Sequence, residues 1–260
     1  MIEDDIAFVD VPPWQILVAD DSPLWRRVAT QAIQASGNPV IVHEAADGGE
    51  ALEILSNRAI DLAFIDLSMP ELTGDEVVDR IGKEGRMPFF VVISADDDVA
   101  QIARMRQLSA YDYLVKPFGG DAITRILKTY ERVKARTSVL IIDDSETNRS
   151  IIRRLLERTV FQLDIAGAPD GVSAFELYVK NPADIVFLDV NMPGLDGEQT
   201  LRILRAHSPN VRIILMSGDQ KSLDSLARYR ATDYLRKPFR PADLDLVIHK
   251  IFGLDPPFAA

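Results

Sequence analysis

Five side chains in the first half of this chain could act together on a charged group: the acidic pair Asp20-Asp21, then Asp66, Ser94 and Lys116. Five of the same types recur in the second half as Asp143-Asp144, Asp189, Ser217 and Lys237. Three carboxylates held within a few ångströms repel one another and need a cation. An all-oxygen ligand set favours Mg²⁺ or Mn²⁺. A carboxylate can attack phosphorus to give an aspartyl phosphate. The metal, a hydroxyl and an ammonium can then share the three oxygens of the transferring group, so that catalysis is mostly positioning and charge neutralisation. Each piece alone is ordinary. Asp-Asp-Ser-Pro reads as a helix start, with Ser22 as cap and Pro23 at the first helical position. An aspartate ending a strand is commonly a turn residue, a serine there a cap, and Lys-Pro a turn. What singles these residues out is their recurrence in the same order.

The second set follows the first by 123 residues at Asp143, Asp189 and Ser217, and by 121 at Lys237. A period this long is a duplicated domain, not a solenoid repeat of 20–50 residues. Shared text surrounds the landmarks: Ile-Leu-Val-Ala-Asp-Asp at 16–21 against Val-Leu-Ile-Ile-Asp-Asp at 139–144, Met-Pro at 69–70 and 192–193, and Asp-Tyr-Leu-x-Lys-Pro-Phe at 112–118 and 233–239. Within the first copy the apolar patterns predict strands near 15–19, 40–44, 62–66, 89–94 and 112–115. They predict helices near 24–36, 48–57, 74–84, 98–108 and 120–135. Third strands such as Ile185–Leu188 are apolar on both faces, as central parallel strands are. Alternating strands and helices predict an α/β fold, a doubly wound parallel sheet covered on both sides, present twice. The expected organisation is a short extension over 1–14, one domain over 15–136 and another over 137–260. With only Lys134 to Thr137 between the last helix of one copy and the next strand, the join predicts a restricted relative orientation. In an open parallel sheet ligands bind beyond the carboxyl ends of the strands. Asp20-Asp21, Asp66, Ser94 and Lys116 all fall at that edge.

Composition narrows the function. The formal net charge of −11 lacks the basic excess of a nucleic-acid binder. The absence of cysteine excludes disulfides and thiolate metal sites and fits a cytoplasmic location. The acidic start with Pro12 and Pro13 is unlike a signal peptide, and the apolar runs are strand-sized, too short for membrane insertion.

Each half resembles the receiver domain of bacterial response regulators, the fold of the chemotaxis response regulator, over about 15–134 and 138–252. The resemblance implies a flavodoxin-like (βα)5 domain of strand order 2-1-3-4-5. It implies that Asp66 and Asp189 are phospho-acceptors and that Asp21 and Asp144 bind Mg²⁺ directly. Asp20 and Asp143 would help through water, and the backbone carbonyls of Ser68 and Asn191 would complete the metal shell. Ser94, Ser217, Lys116 and Lys237 would contact the phosphoryl oxygens. It further implies cis peptide bonds at Lys116-Pro117 and Lys237-Pro238, and a switch-aromatic role for Tyr113 and Tyr234.

The copies differ where Ser68 faces Asn191, while Asp96 and Asp219 both stand two residues past the hydroxyl. These positions flank the path of an attacking water, so phosphoryl lifetimes are expected to differ between copies. The eight residues after Phe252 are too few for an output domain, and His43, His207 and His249 lie in no phospho-donor pattern. The expected donor is therefore a separate histidine kinase or histidine phosphotransfer protein. Output would pass through contacts with a downstream protein target, and a homodimer would use the face of helix four, strand five and helix five. Two rival readings are the regulatory half of a longer regulator, such as a diguanylate cyclase, and a phosphohydrolase with an aspartate nucleophile. The hydrolase would want a second acid two residues past the nucleophile, where Ser68 and Asn191 stand.

Overall fold

A computed structural model of the chain describes residues 12–85, 87–95, 99–218 and 230–257. Asp96, Asp219 and the segment where the second copy is two residues shorter lie outside the described residues, as do residues 1–11 of the expected extension. The first copy runs β1 (Trp14–Ala19), α1 (Pro23–Gln34), β2 (Val40–Ala45), α2 (Gly48–Asn57), β3 (Leu62–Asp66), α3 (Gly74–Lys83), β4 (Phe89–Ser94), α4 (Val99–Gln107), β5 (Asp112–Val115) and α5 (Gly120–Lys134). The second runs β6 (Thr137–Ile142), α6 (Glu146–Leu156), β7 (Leu163–Ala168), α7 (Gly171–Lys180), β8 (Ile185–Asp189), α8 (Gly197–His207), β9 (Arg212–Ser217), β10 (Asp233–Arg236) and α9 (Pro241–Phe252). By internal packing the chain divides into two units, the boundary falling after Tyr130, inside α5.

Each unit contains one five-stranded parallel sheet. The orders are β2-β1-β3-β4-β5 and β7-β6-β8-β9-β10, which is the expected 2-1-3-4-5 twice. Side chains on a strand alternate between its faces, and both faces here are apolar. Ile16 and Val18 of β1 join Phe64, Val91 and Ile93 beneath Ile33 of α1 and Ile123, Ile126 and Leu127 of α5. Leu17 and Ala19 join Ala63, Ile65 and Val92 beneath Leu55 of α2, Val77 and Ile81 of α3 and Met105 of α4. The second unit repeats this plan. Leu140, Ile142, Val186, Leu188, Ile213 and Leu215 pack under Tyr178 of α7 and Leu201 and Leu204 of α8. Burying one such aliphatic side chain is worth about 1.5–3 kcal/mol. β3 and β8 are buried along their whole length, which explains their unbroken apolar text.

Short polar residues start the helices. Asp47, Asp170 and Asp196 accept hydrogen bonds from the backbone N–H of Glu50, Ser173 and Gln199, capping α2, α7 and α8. Ser145 caps α6 through the N–H of Asn148. Ser22, expected to cap α1, makes no side-chain cap bond. Its N–H is held by the Oδ1 of Asp20 at 3.0 Å, as the N–H of Ser145 is by the Oδ1 of Asp143 at 3.0 Å. α1 stops at Gln34, two residues short of its expected end, and Gly37 follows with φ +82°, a conformation glycine adopts without steric cost.

One close approach sets the position of the end of the third strand of each sheet. Gly74 opens α3 with its N–H bonded to Leu67 O at 3.1 Å, and a Cβ at Gly74 would collide with the carbonyl oxygen of Asp66. Gly197 opens α8 in the same way, N–H to Val190 O at 3.1 Å, with the carbonyl of Asp189 in the path of a Cβ. Gly74→Ala or Gly197→Ala should therefore destabilise its domain by roughly 1–3 kcal/mol, the usual cost of overpacking a rigid site. Gly119→Ala, where nothing lies within 4 Å of the added carbon, should stay within about 1 kcal/mol of the parent. Urea unfolding of the three variants checks both statements.

Candidate functional site

The parallel ladders deliver the expected residues to one edge of each sheet. Asp20 leaves β1 with its N–H on Ala45 O at 3.2 Å, and Asp66 is the last residue of β3. Ser94 ends β4, and the N–H of Lys116 continues the ladder to Ser94 O at 2.7 Å. In the second unit, Asp143 N–H bonds Ala168 O at 3.3 Å and Lys237 N–H bonds Ser217 O at 2.8 Å. The Lys116-Pro117 and Lys237-Pro238 peptide bonds are both cis, as expected.

These strand ends converge side chain on side chain. Lys116 Nζ lies 2.7 Å from Asp20 Oδ2 and 2.7 Å from Asp66 Oδ2. Lys237 Nζ lies 2.7 Å from Asp143 Oδ2 and 3.0 Å from Asp189 Oδ2. Asp20 is 1% exposed and Asp143 0%, and Asp66, Asp189, Ser94 and Ser217 are buried too. Asp21 and Asp144 stand exposed at the rim. Carboxylate oxygens of Asp20, Asp21 and Asp66 lie within 4.8 Å of one another, and so do those of Asp143, Asp144 and Asp189. Ser68 and Asn191 each donate a backbone N–H to the neighbouring acidic side chain, to Asp66 Oδ1 at 3.2 Å and to Asp189 Oδ1 at 3.4 Å.

One ammonium among three carboxylates leaves each cluster two charges negative. Burial pushes the Asp20 carboxyl above its ordinary range, with the charge of Asp66 adding to the push and Lys116 and the Ser22 N–H opposing it. Burial likewise raises Asp189, against the hydrogen bond from Lys237. Burial pulls the two lysines down, but the hydrogen bonds and charges of their paired aspartates more than offset it, and both sit above the ordinary value. Such a site is short of positive charge. The buried Oδ2 of Asp20, 2.7 Å from Lys116 Nζ, keeps a lone pair to give to a cation. Small size, all-oxygen donors and excess negative charge fit Mg²⁺ or Mn²⁺.

Several participants carry no signal in the motif text. Arg26 Nη1 donates to the carbonyls of Asp20 and Asp21, and Arg149 Nη1 to those of Asp143 and Asp144. Asn148 Nδ2 reaches both oxygens of Asp143, at 3.2 and 3.4 Å. The corresponding position of the first unit is Trp25, which packs on Phe118 with ring centroids 5.0 Å apart. Gly74 and Gly197 press on the backbones of Asp66 and Asp189. All but the asparagine recur at the 123-residue offset, which is the signal that could have found them. The two tyrosines are not equivalent. Tyr113 is half-buried against the core, whereas Tyr234 is 50% exposed.

The profile of the response regulator receiver domain matches residues 16–128 and again 139–249. The chain is 25% identical over 125 residues to the Probable C4-dicarboxylate response regulator DctR of Priestia megaterium, covering 48% of this chain and 55% of that protein. It is 33% identical over 113 residues to protein-glutamate methylesterase/protein-glutamine glutaminase 2 of Koribacter versatilis, covering 43% and 31%. The chain thus spans about half and about a third of the lengths of these two curated relatives. A solved structure described as a two-component system response regulator/GGDEF domain protein superposes with a TM-score of 0.65 at 24% identity. That superposition covers 93% of this chain and 99% of that one, a likeness of fold. No helix among the described residues is long and apolar enough to cross a membrane. Matched twice along most of its length, the chain belongs to the response regulator receiver domain family of two-component signal transduction.

Proposed function

We propose that this chain is a two-receiver phosphorylation switch in which Asp66 and Asp189 each accept a phosphoryl group from the phosphohistidine of a histidine kinase or phosphotransfer protein. Receiver domains interact with such donors, typically bind Mg²⁺ through acidic residues and are generally non-enzymatic switches. The observation that carries the reading is the doubled triad of one ammonium between two buried carboxylates at the end of the same three strands.

In this reading Asp21 and Asp144, with Asp66 and Asp189 and the backbone of Ser68 and Asn191, would hold Mg²⁺, and Asp20 and Asp143 would support it. The cation supplies charge neutralisation at the phosphoryl oxygens. The carboxylate of Asp66 or Asp189 attacks phosphorus in line, the P–N bond to the donor imidazole breaks, and the imidazole nitrogen takes up a proton. Lys116 and Lys237 would move from pairing two carboxylates to pairing one carboxylate and a phosphoryl oxygen, aided by the Ser94 and Ser217 hydroxyls. The acyl phosphate ends by hydrolysis to carboxylate and inorganic phosphate. Tyr113 and Tyr234 would report the state at the surface, and output would be a protein contact, including a homodimer through the α4-β5-α5 face. The phosphohydrolase alternative lacks its second acid in both copies, at Ser68 and Asn191.

With Mg²⁺ and phosphoramidate, intact mass should show up to two added phosphoryl groups. Asp66→Asn and Asp189→Asn should each remove one. Loss of all labelling in a single variant would mean that only one site works.

Mg²⁺ at about ten times its dissociation constant should stabilise each domain by about 1.4 kcal/mol, a rise of a few degrees in Tm. Asp21→Ala and Asp144→Ala should blunt the rise in their own domains. Because burial disfavours the charged form of Asp20, Asp20→Asn should raise the stability of the Mg²⁺-free protein at neutral pH while weakening the Mg²⁺ response. Calorimetry with and without the ion tests all three variants.

A further inference from the structure

The arginine six residues past the first aspartate plays no part in the phosphoryl chemistry above, yet its contacts recur in both units. Arg26 Nη1 donates to Asp20 O at 2.7 Å and to Asp21 O at 3.3 Å. Arg149 Nη1 donates to Asp143 O at 2.7 Å and to Asp144 O at 3.3 Å. The other surroundings of the two arginines differ. Arg26 Nε lies 3.7 Å from Glu44 Oε2, and the Oε1 of Glu44 accepts from Thr30 at 2.8 Å. The second unit has Gly167 where the first has Glu44, and the chain of Arg149 passes over it, its Cδ 3.5 Å from where a Cβ would stand. An arginine kept for an ion pair with the second strand would have lost its reason in the second unit. The feature common to both is the grip on two successive carbonyls.

Those carbonyls need a partner. The β1–β2 and β1–β3 registers end at Ala19, and the first helical acceptor of α1 is Ser22 O, bonded by Arg26 N–H at 3.1 Å. Asp20 O and Asp21 O fall between the two ladders. Asp143 O and Asp144 O do the same, between the end of the β6 registers at Ile142 and the bond from Arg149 N–H to Ser145 O at 3.0 Å. Fixing two successive carbonyls fixes the peptide planes on either side of the second aspartate. That is what directs one carboxylate into the sheet edge and the next out to the rim. We infer that Arg26 and Arg149 are positioning residues for the divalent cation, setting the splay of Asp20 against Asp21 and of Asp143 against Asp144. This rests on the acidic pairs being the cation site proposed above.

Charge and geometry make opposite demands here, which gives the test its sign. A guanidinium near a cation repels it, so an arginine acting only by charge weakens Mg²⁺ binding and its removal tightens it. An arginine that pre-organises the ligands strengthens binding, and its removal weakens it. Groups that orient metal ligands from behind are worth about 10- to 100-fold in affinity. Site one is read in full-length Asp189→Asn protein carrying Arg26→Ala or Arg26→Lys, and site two in Asp66→Asn protein carrying Arg149→Ala or Arg149→Lys. The readouts are the Mg²⁺ concentration for half-maximal labelling by phosphoramidate and the Mg²⁺-induced rise in Tm. Alanine should raise the Mg²⁺ requirement by at least about tenfold, with labelling restored at saturating Mg²⁺. Lysine, which keeps the charge but not the two-carbonyl geometry, should fall between alanine and the parent. An unchanged or lower Mg²⁺ requirement overturns the inference, as does a fall in Tm unaccompanied by a change in it. If alanine prevents folding, the lysine variants carry the same test, and a parental requirement in them overturns the inference equally. Parents that fail to label or to respond to Mg²⁺ strike the cation-site reading and this inference with it. Responsive parents with unresponsive arginine variants strike the inference alone.

Discussion

An ammonium held between two buried carboxylates is the interaction on which each domain's site depends. A buried ion pair is seldom a net source of stability, because the desolvation of both partners consumes most of the attraction. Here the balance is poorer still, since one lysine faces Asp20 and Asp66 together, with Asp21 close by at the rim. The arrangement makes sense only as a site left short of positive charge. Burial, which raises the Asp20 and Asp189 carboxyls, adds to the cost of keeping the cluster charged. In the proposed reading a divalent cation would relieve the shortage, and the oxygens of a transferring phosphoryl group would compete with the carboxylates for the same lysine.

Holding such a cluster together demands a rigid frame, and the doubly wound sheet provides one. The three central strands of each sheet are buried on both faces, so their ends have little freedom to separate. Register is set by the ladders up to the last residue, with Lys116 and Lys237 each still bonded to the preceding strand. At the point where β3 and β8 give out, Gly74 and Gly197 let the next helix press directly on the backbones of Asp66 and Asp189. The packing of the fold and the placing of these two carboxylates therefore draw on the same contacts.

Much of this was readable in the residues. The repeat register located both sites, strand ends fell within a residue or so of the expected positions, and the apolar β3 and β8 text announced central strands. What escaped was whatever depends on three-dimensional direction. Ser22 reads as a helix cap, but its hydroxyl makes no cap bond. Arg26 and Arg149 carry no signal of their own, because nothing in a linear pattern shows that two strand-exit carbonyls lie within their reach. Tyr113 and Tyr234 share the same motif yet differ in exposure, since burial is decided by neighbours and not by the motif.

The two units are equal in their shared parts and unequal around them, and the inequality is concentrated at the mouth of the site. In the second, Asn148 ties Asp143 to the first turn of α6, so that this carboxylate is held by both a lysine and an amide. In the first, Trp25 turns to Phe118 instead and leaves Asp20 to Lys116 and the Ser22 N–H. Leu24 beside it is 62% exposed, whereas the corresponding residue of the second unit is Thr147. In the proposed reading a macromolecular donor would have to cover this rim to bring its phosphorus within bonding distance of Asp66 or Asp189. The first site meets it with an apolar edge and the second with a polar one. The lysine, the aspartates and the serine recur in both units, and these differences fall on the rim around them.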